Sequence, residues 1–500
     1  MSAAPTTRRY ATFGCLMLAM FMVAIEATVV ATAMPAIVAR LGGFTYYTWV
    51  FSGFLLAQTA TTVMFGKLSD LYGRKPVMIA GLALFLVGSL LAGLSWSMPS
   101  LIAFRVLQGL GAGAVQPVTM TIVSDLFTLD ERRRTQSYMA SVWGISAIVG
   151  PLAGALIVQH VSWAWVFWVN VPLGVGAIVG LSLFLHEKVE RHERPVDYVG
   201  AALFSLAVTA LLLAISPPPG DSVLAHPALF GLAFLVIAPA FLVWERFASE
   251  PMMDMKLWGE PVIASANAAT LAAGLALIGL TACLPIYIQG VLGQSPVTAG
   301  LTLTAMAVGW PIAATFSARV LLPVLGLRST LRLGAAVMLA GACALPFINA
   351  ANGVWLSAAG ALLMGAGMGM MSYTAVLLLQ ASVDWGRRGA ATASNVFARL
   401  LGNTLGAAVM GAILNLGLRL AGAKVSPDQV RTLMDPHAAG GAAAKTVDAG
   451  LKGALASSLH WVFLAMTLLA AVTLAAAWSM PKPQVEEPFR RRAPQPKPAE

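Results

Sequence analysis

The chain reads Gly66-Lys-Leu-Ser-Asp70-Leu-Tyr-Gly73-Arg74-Lys75-Pro76 between two apolar runs, at about 46–66 and 77–97. Each run has about twenty residues, which is long enough for a helix to cross the hydrocarbon core of a bilayer. The stretch between them is short and holds three basic residues. This pattern predicts two membrane-spanning helices joined by a cytoplasmic loop, because basic loops are retained on that side.

The pattern of apolar runs and short loops continues along the whole chain. Of 500 residues, 58% are hydrophobic and only 10% are charged, whereas a soluble domain carries about 25% charged residues. Backbone N–H and C=O groups find no water inside a bilayer, so each run is expected to be helical. We therefore predict an all-α polytopic membrane protein, embedded in the lipid bilayer, without a soluble domain.

Fourteen runs are long enough to be transmembrane helices. Loops and tails on the side of the N-terminus hold 23 of the 31 lysines and arginines, the opposite loops hold six, and Arg105 and Arg399 lie inside runs. This excess places both termini in the cytoplasm of a bacterial cell whose inner membrane the chain spans. It also explains the net charge of +10 without nucleic acid as a partner. The predicted runs are 11–37, 46–66, 77–97, 99–124, 137–159, 164–185, 198–215, 227–244, 261–290, 297–318, 330–349, 353–380, 390–418 and 458–480.

Two parts of the chain repeat a sequence pattern. Each has a glycine-rich helix (109–113 and 365–369), then a basic loop, then a second helix with glycines four residues apart (150–154 and 402–406). Parallel repeats of this kind build two bundles around a midplane site in many transporters. We divide the chain accordingly into an N-terminal six-helix bundle (1–190), an inserted helix pair with linkers (191–258), a C-terminal six-helix bundle (259–480) and a disordered cytoplasmic tail (481–500).

Three stretches resemble motifs of the major facilitator superfamily. Residues 66–76 fill every key position of its G-x-L-x-D-x-x-G-R-K signature. Residues 105–114, Arg-Val-Leu-Gln-Gly-Leu-Gly-Ala-Gly-Ala, are similar to its R-x-x-Q-G-x-G-A motif, in which the arginine is implicated in proton transfer. Residues 144–154, which contain Gly150-Pro151, resemble its antiporter signature.

Two further stretches resemble the fourteen-helix drug:proton antiporter branch of that family. Residues 26–35, Glu-Ala-Thr-Val-Val-Ala-Thr-Ala-Met-Pro, resemble its D-x-T-V-V-x-x-A-x-P pattern, with Glu26 in place of the usual aspartate. Residues 163–174 resemble its W-R-W-x-F-x-x-N-x-P-x-G segment, with Ala164 in place of the usual arginine. The resemblance implies the major facilitator fold, with two six-helix bundles and two inserted helices.

The resemblance also implies residues that control the change of conformation. Glycines let helices approach closely, and a short acid such as Asp70 can cap a neighbouring helix N-terminus, while the bases face the cytoplasmic leaflet. An ordinary positive-inside loop is the alternative for the first of these motifs. The predicted gating residues are Gly66, Asp70, Gly73, Arg74, Lys75, Gly150, Pro151 and Gly154.

Glu26 is the one acid that this map places deep within a run. An ionised carboxylate at that depth is costly, so it is a functional candidate by default. At 1.5 Å per residue, Glu26 and Arg105 come out roughly 16 Å and 9 Å below the outer membrane surface, a gap that an arginine can span. We predict that the two couple proton entry to export, against two alternatives: a structural ion pair, or a protonated glutamate bonded to backbone.

The energy source follows from the same residues. One proton crossing the membrane potential supplies about 2.3 kcal/mol per 100 mV, and no G-x-x-x-x-G-K-[ST] phosphate loop is present. We therefore predict protons as partners, a proton gradient as the energy source and no cofactor. The histidines and cysteines lack the spacing of a metal site, so none is predicted.

Polar residues inside the runs are the candidates for substrate binding, or for bonds between helices. Arg399 can bind an anionic group or extend toward the cytoplasmic loop. A single deep acid argues against dicationic substrates, so the predicted ligands are lipophilic neutral or monocationic compounds. The candidate substrate residues are Gln58, Gln108, Asn170, Gln289, Asn395 and Arg399.

The predicted function is proton-coupled drug efflux across the inner membrane by alternating access. One alternative is export of a specific native metabolite, such as an amino acid, a siderophore or a bile salt. A membrane sensor or enzyme is disfavoured, because no nucleophile–base pair or metal constellation lies in the runs. A periplasmic adaptor protein is a further possible partner, which would bind through the polar loop at 420–457.

Overall fold

The structure, a computed structural model, describes residues 6–127, 129–187, 197–215, 217, 226–248, 255–349, 352–383, 388–421 and 449–481. Within these ranges the chain forms helices and no strand. The longer helices are α1 (Thr6–Leu41), α2 (Trp49–Tyr72), α3 (Arg74–Gly93), α4 (Met98–Leu126), α5 (Leu129–His160), α6 (Asn170–Phe184), α7 (Tyr198–Ile215), α8 (Pro227–Phe247), α9 (Pro261–Ile286), α10 (Pro296–Phe316), α11 (Leu322–Ala344), α12 (Gly353–Ala381), α13 (Arg388–Leu420) and α14 (Ala449–Ser479).

The apolar character of these helices confirms a multi-pass membrane protein. Twelve segments of the described chain are long and apolar enough to cross a membrane. One of them, Pro296–Phe347, contains both α10 and α11, and the apolar part of α7 (Val199–Ile215) is shorter than the others. The predicted number of fourteen crossings therefore stays a prediction, as do the domain boundaries at 190, 258 and 480.

Three helices begin eight or nine residues earlier than the sequence predicts. α5 begins at Leu129 rather than 137, because the charged residues of its first two turns lower the hydropathy there. α11 begins at Leu322 rather than 330, and Gly326 interrupts it with a φ of 78° and a ψ of 175°. The predicted run started after this break, because the basic and turn-forming residues there lower its hydropathy. α14 begins at Ala449 rather than 458, since its small residues add little hydropathy but favour a helix.

The repeated glycines occupy equivalent places in two bundles. On α4, a Cβ at Gly109 would meet the Phe54 carbonyl of α2, and one at Gly111 would meet backbone of α3. On α12, a Cβ at Gly365 would meet the Met306 carbonyl of α10, and one at Gly367 would meet backbone of α11. The fourth helix of each bundle thus packs against its second and third helices in the same way.

The two bundles meet along two related pairs of helices. α2 contacts α13, where the Thr59 and Thr404 hydroxyls lie 3.4 Å apart. α5 contacts α10, where a Cβ at Gly300 would lie 2.7 Å from the Pro151 carbonyl oxygen. Because α2 and α10 are equivalent, as are α5 and α13, the two contacts are related by the internal repeat.

The inserted pair, α7 and α8, lies beside the α2–α13 contact. The Phe204 ring of α7 is 5.1 Å from that of Phe397 on α13 and 5.8 Å from that of Phe241 on α8. These three rings form one apolar cluster with Ala60 of α2. The pair therefore covers the edge of one inter-bundle contact instead of separating the bundles.

The apolar core is arranged differently at the two ends of the helices. We call the ends at which α1 begins, α2 meets α3, and α4 meets α5 the basic face, and the other ends the opposite face. At the opposite face, residues such as Val29–Ala39 of α1 share one continuous core with the C-terminal bundle. At the basic face, the N-terminal bundle has a separate core around Phe13, Phe85 and Val118. The bundles are thus joined at the opposite face.

Candidate functional site

Glu26 and Arg105 form an ion pair in the interior of the N-terminal bundle. Glu26 lies on α1 and is 0% exposed, and Arg105 lies on α4 and is 2% exposed. Arg105 Nη1 donates to Glu26 Oε1. The direct contact that the sequence predicts from the depths of the two residues is therefore present, while their role in proton coupling stays a prediction.

Neutral amides extend the ion pair to two more helices. Asn170, the first residue of α6, donates from Nδ2 to Glu26 Oε2. Gln108 Oε1 accepts from Arg105 Nη1 at 2.6 Å, and Gln108 Nε2 donates to Ser89 Oγ on α3 at 2.7 Å. All of these side chains are buried, so the carboxylate is held by charge-assisted hydrogen bonds in a setting without water contact.

The remaining contacts of Arg105 fix its orientation. Nε donates to the Val50 carbonyl of α2 at 3.3 Å, and the guanidinium carbon lies 4.1 Å from the centre of the Phe54 ring. A desolvated guanidinium is attracted to the face of an aromatic ring. These contacts hold Arg105 independently of Glu26, so the carboxylate lies beside a cation of fixed orientation.

The small residues of α5 bring that helix against α1 beside Glu26. A Cβ at Gly154 would lie 2.6 Å from the Val29 carbonyl oxygen, and one at Gly150 would collide with the Thr28 hydroxyl. On another side of α5, the carbonyl of Pro151 contacts α10 of the other bundle. One helix thus touches both the acid-bearing helix and the partner bundle.

The loop at residues 66–76 is fixed by an acid that the sequence analysis missed. Glu187, just after α6, accepts from the backbone N–H groups of Arg74 at 2.9 Å and Lys75 at 3.0 Å, and so caps the N-terminus of α3. Arg74 also pairs with Asp125 at the end of α4, at 3.1 Å. The only signal for Glu187 in the sequence is an acid directly after a run on the same predicted side.

The other residues of this motif lie at the junction of α2 and α3. Gly73 has a φ of 93°, which L side chains rarely adopt, so glycine is required there. Gly66 lies on α2, where a Cβ would make only an ordinary contact with Pro117. The side chain of Asp70, predicted as a cap, lies outside the described part of the structure.

The candidate substrate residues lie on several helices of both bundles. Gln108 and Asn170 belong to the ion-pair network, and Gln58 on α2 is half-buried. Gln289 is buried in a π-helical turn that follows α9. The substrate role of all these residues stays a prediction.

Asn395 lies in a neutral hydrogen-bonded cluster in the C-terminal bundle. Its Nδ2 donates to Asn267 Oδ1 at 3.1 Å and to Thr270 Oγ1 at 3.0 Å on α9. Asn267 in turn donates to Ser394 Oγ at 3.0 Å. Arg399, one turn further along α13, is half-buried and forms no ion pair with a described residue.

Comparisons with known proteins agree with this architecture. The family model described as Major Facilitator Superfamily matches residues 16–407. Multidrug transporter protein MdtP of Bacillus subtilis is 31% identical, with 80% of this chain and 74% of the relative covered. Multidrug resistance protein 3 of the same organism is 33% identical, with 80% and 78% covered.

Solved structures share the fold at low sequence identity. A bacterial homolog of the human lysosomal transporter Spinster, solved in an inward-facing and unoccupied conformation, superposes with a TM-score of 0.62 at 16% identity, with 95% of this chain and 98% of that chain covered. The nucleoside transporter NupG superposes with a TM-score of 0.61 at 9% identity, with 95% and 100% covered.

Proposed function

Because the chain belongs to the Major Facilitator Superfamily, and is thus a multi-pass membrane transporter, we propose that it exports lipophilic neutral or monocationic compounds in exchange for protons. The multidrug names of two relatives that are more than 30% identical support export of drugs. The proposed membrane is the bacterial inner membrane, with both termini in the cytoplasm. The proton gradient is the proposed energy source.

The buried pair of Glu26 and Arg105 is the observation that supports proton exchange. A buried carboxylate is retained in its charged form only by its partners, here one guanidinium and one amide. When a proton neutralises the carboxylate, the attraction to Arg105 is lost and the packing of α1 against α4 is weakened. Binding of one proton thereby alters the contacts of α1, which α5 connects to the other bundle.

The arrangement of the core supports alternating access. The bundles share a continuous core at the opposite face and have separate cores at the basic face. With the basic face toward the cytoplasm, this is the conformation that admits a substrate from inside the cell. Export then requires the α2–α13 and α5–α10 contacts to separate at the opposite face and to close at the basic face.

The charge of the site supports the proposed class of substrate. Glu26 is already paired with Arg105, and no second carboxylate contacts this pair among the described residues, as a dication would require. The Phe54 and Phe167 rings lie close to Arg105. Such apolar neighbours favour a lipophilic molecule with one positive charge or none.

Transport by the purified protein in proteoliposomes tests the proposal. With ethidium as the lipophilic monocation and an imposed pH gradient, we expect accumulation that a protonophore abolishes. Glu26→Gln keeps the size of the side chain and one acceptor oxygen but cannot ionise, so it is expected to lose accumulation driven by the gradient. Accumulation that resists the protonophore, or that Glu26→Gln leaves unchanged, contradicts proton coupling.

A specific native metabolite is the second candidate substrate. Arg399 and the neighbouring amide cluster around Asn395 favour it, because a cation beside amides can recognise a polar or anionic group. Growth of a deletion strain on a panel of unrelated lipophilic antibiotics separates the two candidates. Sensitivity to many compounds supports the multidrug proposal, whereas sensitivity to none of them supports the metabolite.

A further inference from the structure

The amide of Asn170 is only half used in the buried network. Its Nδ2 donates to Glu26 Oε2, but its Oδ1 is buried and accepts from no described group. A buried acceptor without a partner costs free energy, so most are satisfied in folded proteins. Gln108 is a contrast within the same network, because both ends of its amide have partners.

The two oxygens of Glu26 face chemically different neighbours. Oε1 faces the Arg105 guanidinium, which only donates and cannot accept from a carboxylic acid. Oε2 faces Asn170, whose amide holds two donor hydrogens and an acceptor oxygen. The Gln108 amide also lies beside the carboxyl group, but its carbonyl oxygen already accepts from Arg105. Among the described neighbours, the Asn170 oxygen is therefore the free acceptor for a proton bound at Oε2, once the amide has turned.

We propose that Asn170 is a positioning residue that hydrogen-bonds both protonation states of Glu26. With the carboxylate, Nδ2 donates to Oε2. When a proton from water binds Oε2 and forms an O–H bond, the terminal amide rotates and Oδ1 accepts from that O–H. The proton returns to water on the other side of the membrane, the O–H bond breaks, and the amide rotates back.

This inference rests on the proposed function. It implies that a proton and a cationic substrate are bound in turn at one site and not together. With Glu26 ionised, the pair with Arg105 has no net charge. With Glu26 protonated and its O–H held by Asn170, Arg105 remains charged and fixed by Gln108, Val50 and Phe54. The site then carries one positive charge, which repels a cationic compound and favours its release.

No other charged group contacts Glu26 among the described residues. The helices packed against α1 are α4, α5, α6, α9 and α10, and Arg105 is the charged residue that they place against the carboxyl group. Their other described titratable groups lie elsewhere, several of them at helix ends. These are Asp125, Glu131, Tyr138, His160, Cys283 and Tyr287.

Two variants at Asn170 separate a positioning role from a structural one. Asn170→Asp has the same shape but places a second acid beside Glu26, which favours binding of a proton by the pair. We expect the pH of half-maximal ethidium transport in proteoliposomes to rise by about one unit or more. Asn170→Leu offers neither donor nor acceptor, and we expect gradient-driven transport to fall by about tenfold or more.

Counterflow distinguishes the two roles, because a variant with a damaged structure is expected to lose it. Exchange of labelled for unlabelled ethidium without a gradient requires binding and the change of conformation but no net proton movement. We expect Asn170→Leu to lose a much larger fraction of gradient-driven transport than of counterflow. Asn349→Asp, in the exposed loop after α11, is the matched control and is expected to keep the wild-type pH profile.

The outcomes distinguish the inference from the proposed function. If the wild-type protein does not respond to a pH gradient, the proposed function fails. If the wild-type protein responds and both variants keep its pH profile, only the role of Asn170 fails. A parallel loss of counterflow and gradient-driven transport in Asn170→Leu also contradicts that role, and Asn170→Asp decides the question should the leucine variant not fold.

Discussion

The two bundles share one packing frame but carry different chemistry. Gly154 on α5 contacts the Val29 carbonyl of α1, and Gly406 on α13 contacts the Leu275 carbonyl of α9. Matching these contacts pairs α1 with α9 residue by residue, so the equivalent of Glu26 is Ala272. The frame has been kept in both bundles, while the acid occurs in only one.

The partners of the acid are missing from the C-terminal bundle as well. Matching Gly109 with Gly365 makes Ala361 the equivalent of Arg105 and Met364 the equivalent of Gln108. Both are fully buried apolar residues. Four polar side chains of that bundle, Asn267, Thr270, Ser394 and Asn395, form a neutral cluster. The comparison teaches that the two bundles share their packing, whereas the buried ion pair of the described residues belongs to the N-terminal bundle.

Breaking the charged side of the comparison is expected to have the largest effect. Arg105→Gln leaves the Glu26 carboxylate buried without its counter-ion, and loss of one partner of a buried pair costs about 3–5 kcal/mol. We expect a large fall in the melting temperature of the purified protein in detergent, together with loss of gradient-driven transport.

The double variant Glu26→Gln/Arg105→Gln is the control for this prediction. Since it removes both charges, its melting temperature is expected to recover most of the loss, while gradient-driven transport stays absent. A double variant that melts as low as Arg105→Gln would mean that the pair contributes through packing and not through charge.

Enlarging the equivalent glycines tests the shared frame. In Gly154→Ala and Gly406→Ala the new methyl group would lie 2.6 Å and 2.5 Å from a backbone oxygen, so each is expected to cost about 1–3 kcal/mol through overpacking. Only Gly154→Ala is expected to change the pH profile of transport as well, because it displaces the helix that carries Glu26. Thermal melting and pH profiles of both variants measure this.

Gly14→Ala serves as the matched control, since nothing lies within 4 Å of a Cβ at this position of α1. It is expected to melt at or slightly above the wild-type temperature. Equal pH profiles for all three glycine variants would separate the helix contact from the proton site.

The neutral side of the comparison is expected to respond less. Asn395→Leu removes two hydrogen bonds and leaves Asn267 Oδ1 and Thr270 Oγ1 without that donor, at a cost of about 1–2 kcal/mol. Proton coupling should persist, so the pH profile of transport is expected to match that of the wild-type protein even though melting is lowered. A shifted pH profile would assign this cluster a part in proton exchange.

The contact between the bundles is expected to give the smallest effect. Thr59→Val removes the weak polar contact of the Thr59 hydroxyl with that of Thr404 at 3.4 Å, worth about 0.5 kcal/mol. Opening at the opposite face should therefore increase by about twofold. Distances between spin labels at Trp96 and Leu420, both exposed at that face, measure the two populations, with Thr59→Ser as the control that retains the hydroxyl.

The features that could be predicted from the sequence are those that depend on how far along a helix a residue lies. Hydropathy located the helices but placed the starts of α5, α11 and α14 eight or nine residues too late. The rise per residue placed Glu26 and Arg105 at depths from which they meet. The contact of these two groups is confirmed by the structure.

What depends on the rotation of a helix could not be predicted in the same way. The hydrophobic signal of a membrane helix is nearly uniform around its axis, so it did not distinguish a side chain that faces a cavity from one that faces another helix. The substrate role of Gln108 stays a prediction, but the contacts of its side chain with Ser89 and Arg105 could not be predicted. Asn267 and Glu187 were missed because their partners are distant in sequence.

The two-sided contact of α5 implies that this helix mechanically couples α1 to the other bundle. α5 packs against α1 at Gly150 and Gly154 without free space between the helices. A movement of α10 that reaches α5 through the contact of Gly300 with Pro151 is therefore expected to move α1 as well. Selection for altered drug resistance is accordingly expected to yield substitutions at Gly300. They should change the pH dependence of transport although Gly300 contacts neither the substrate nor Glu26.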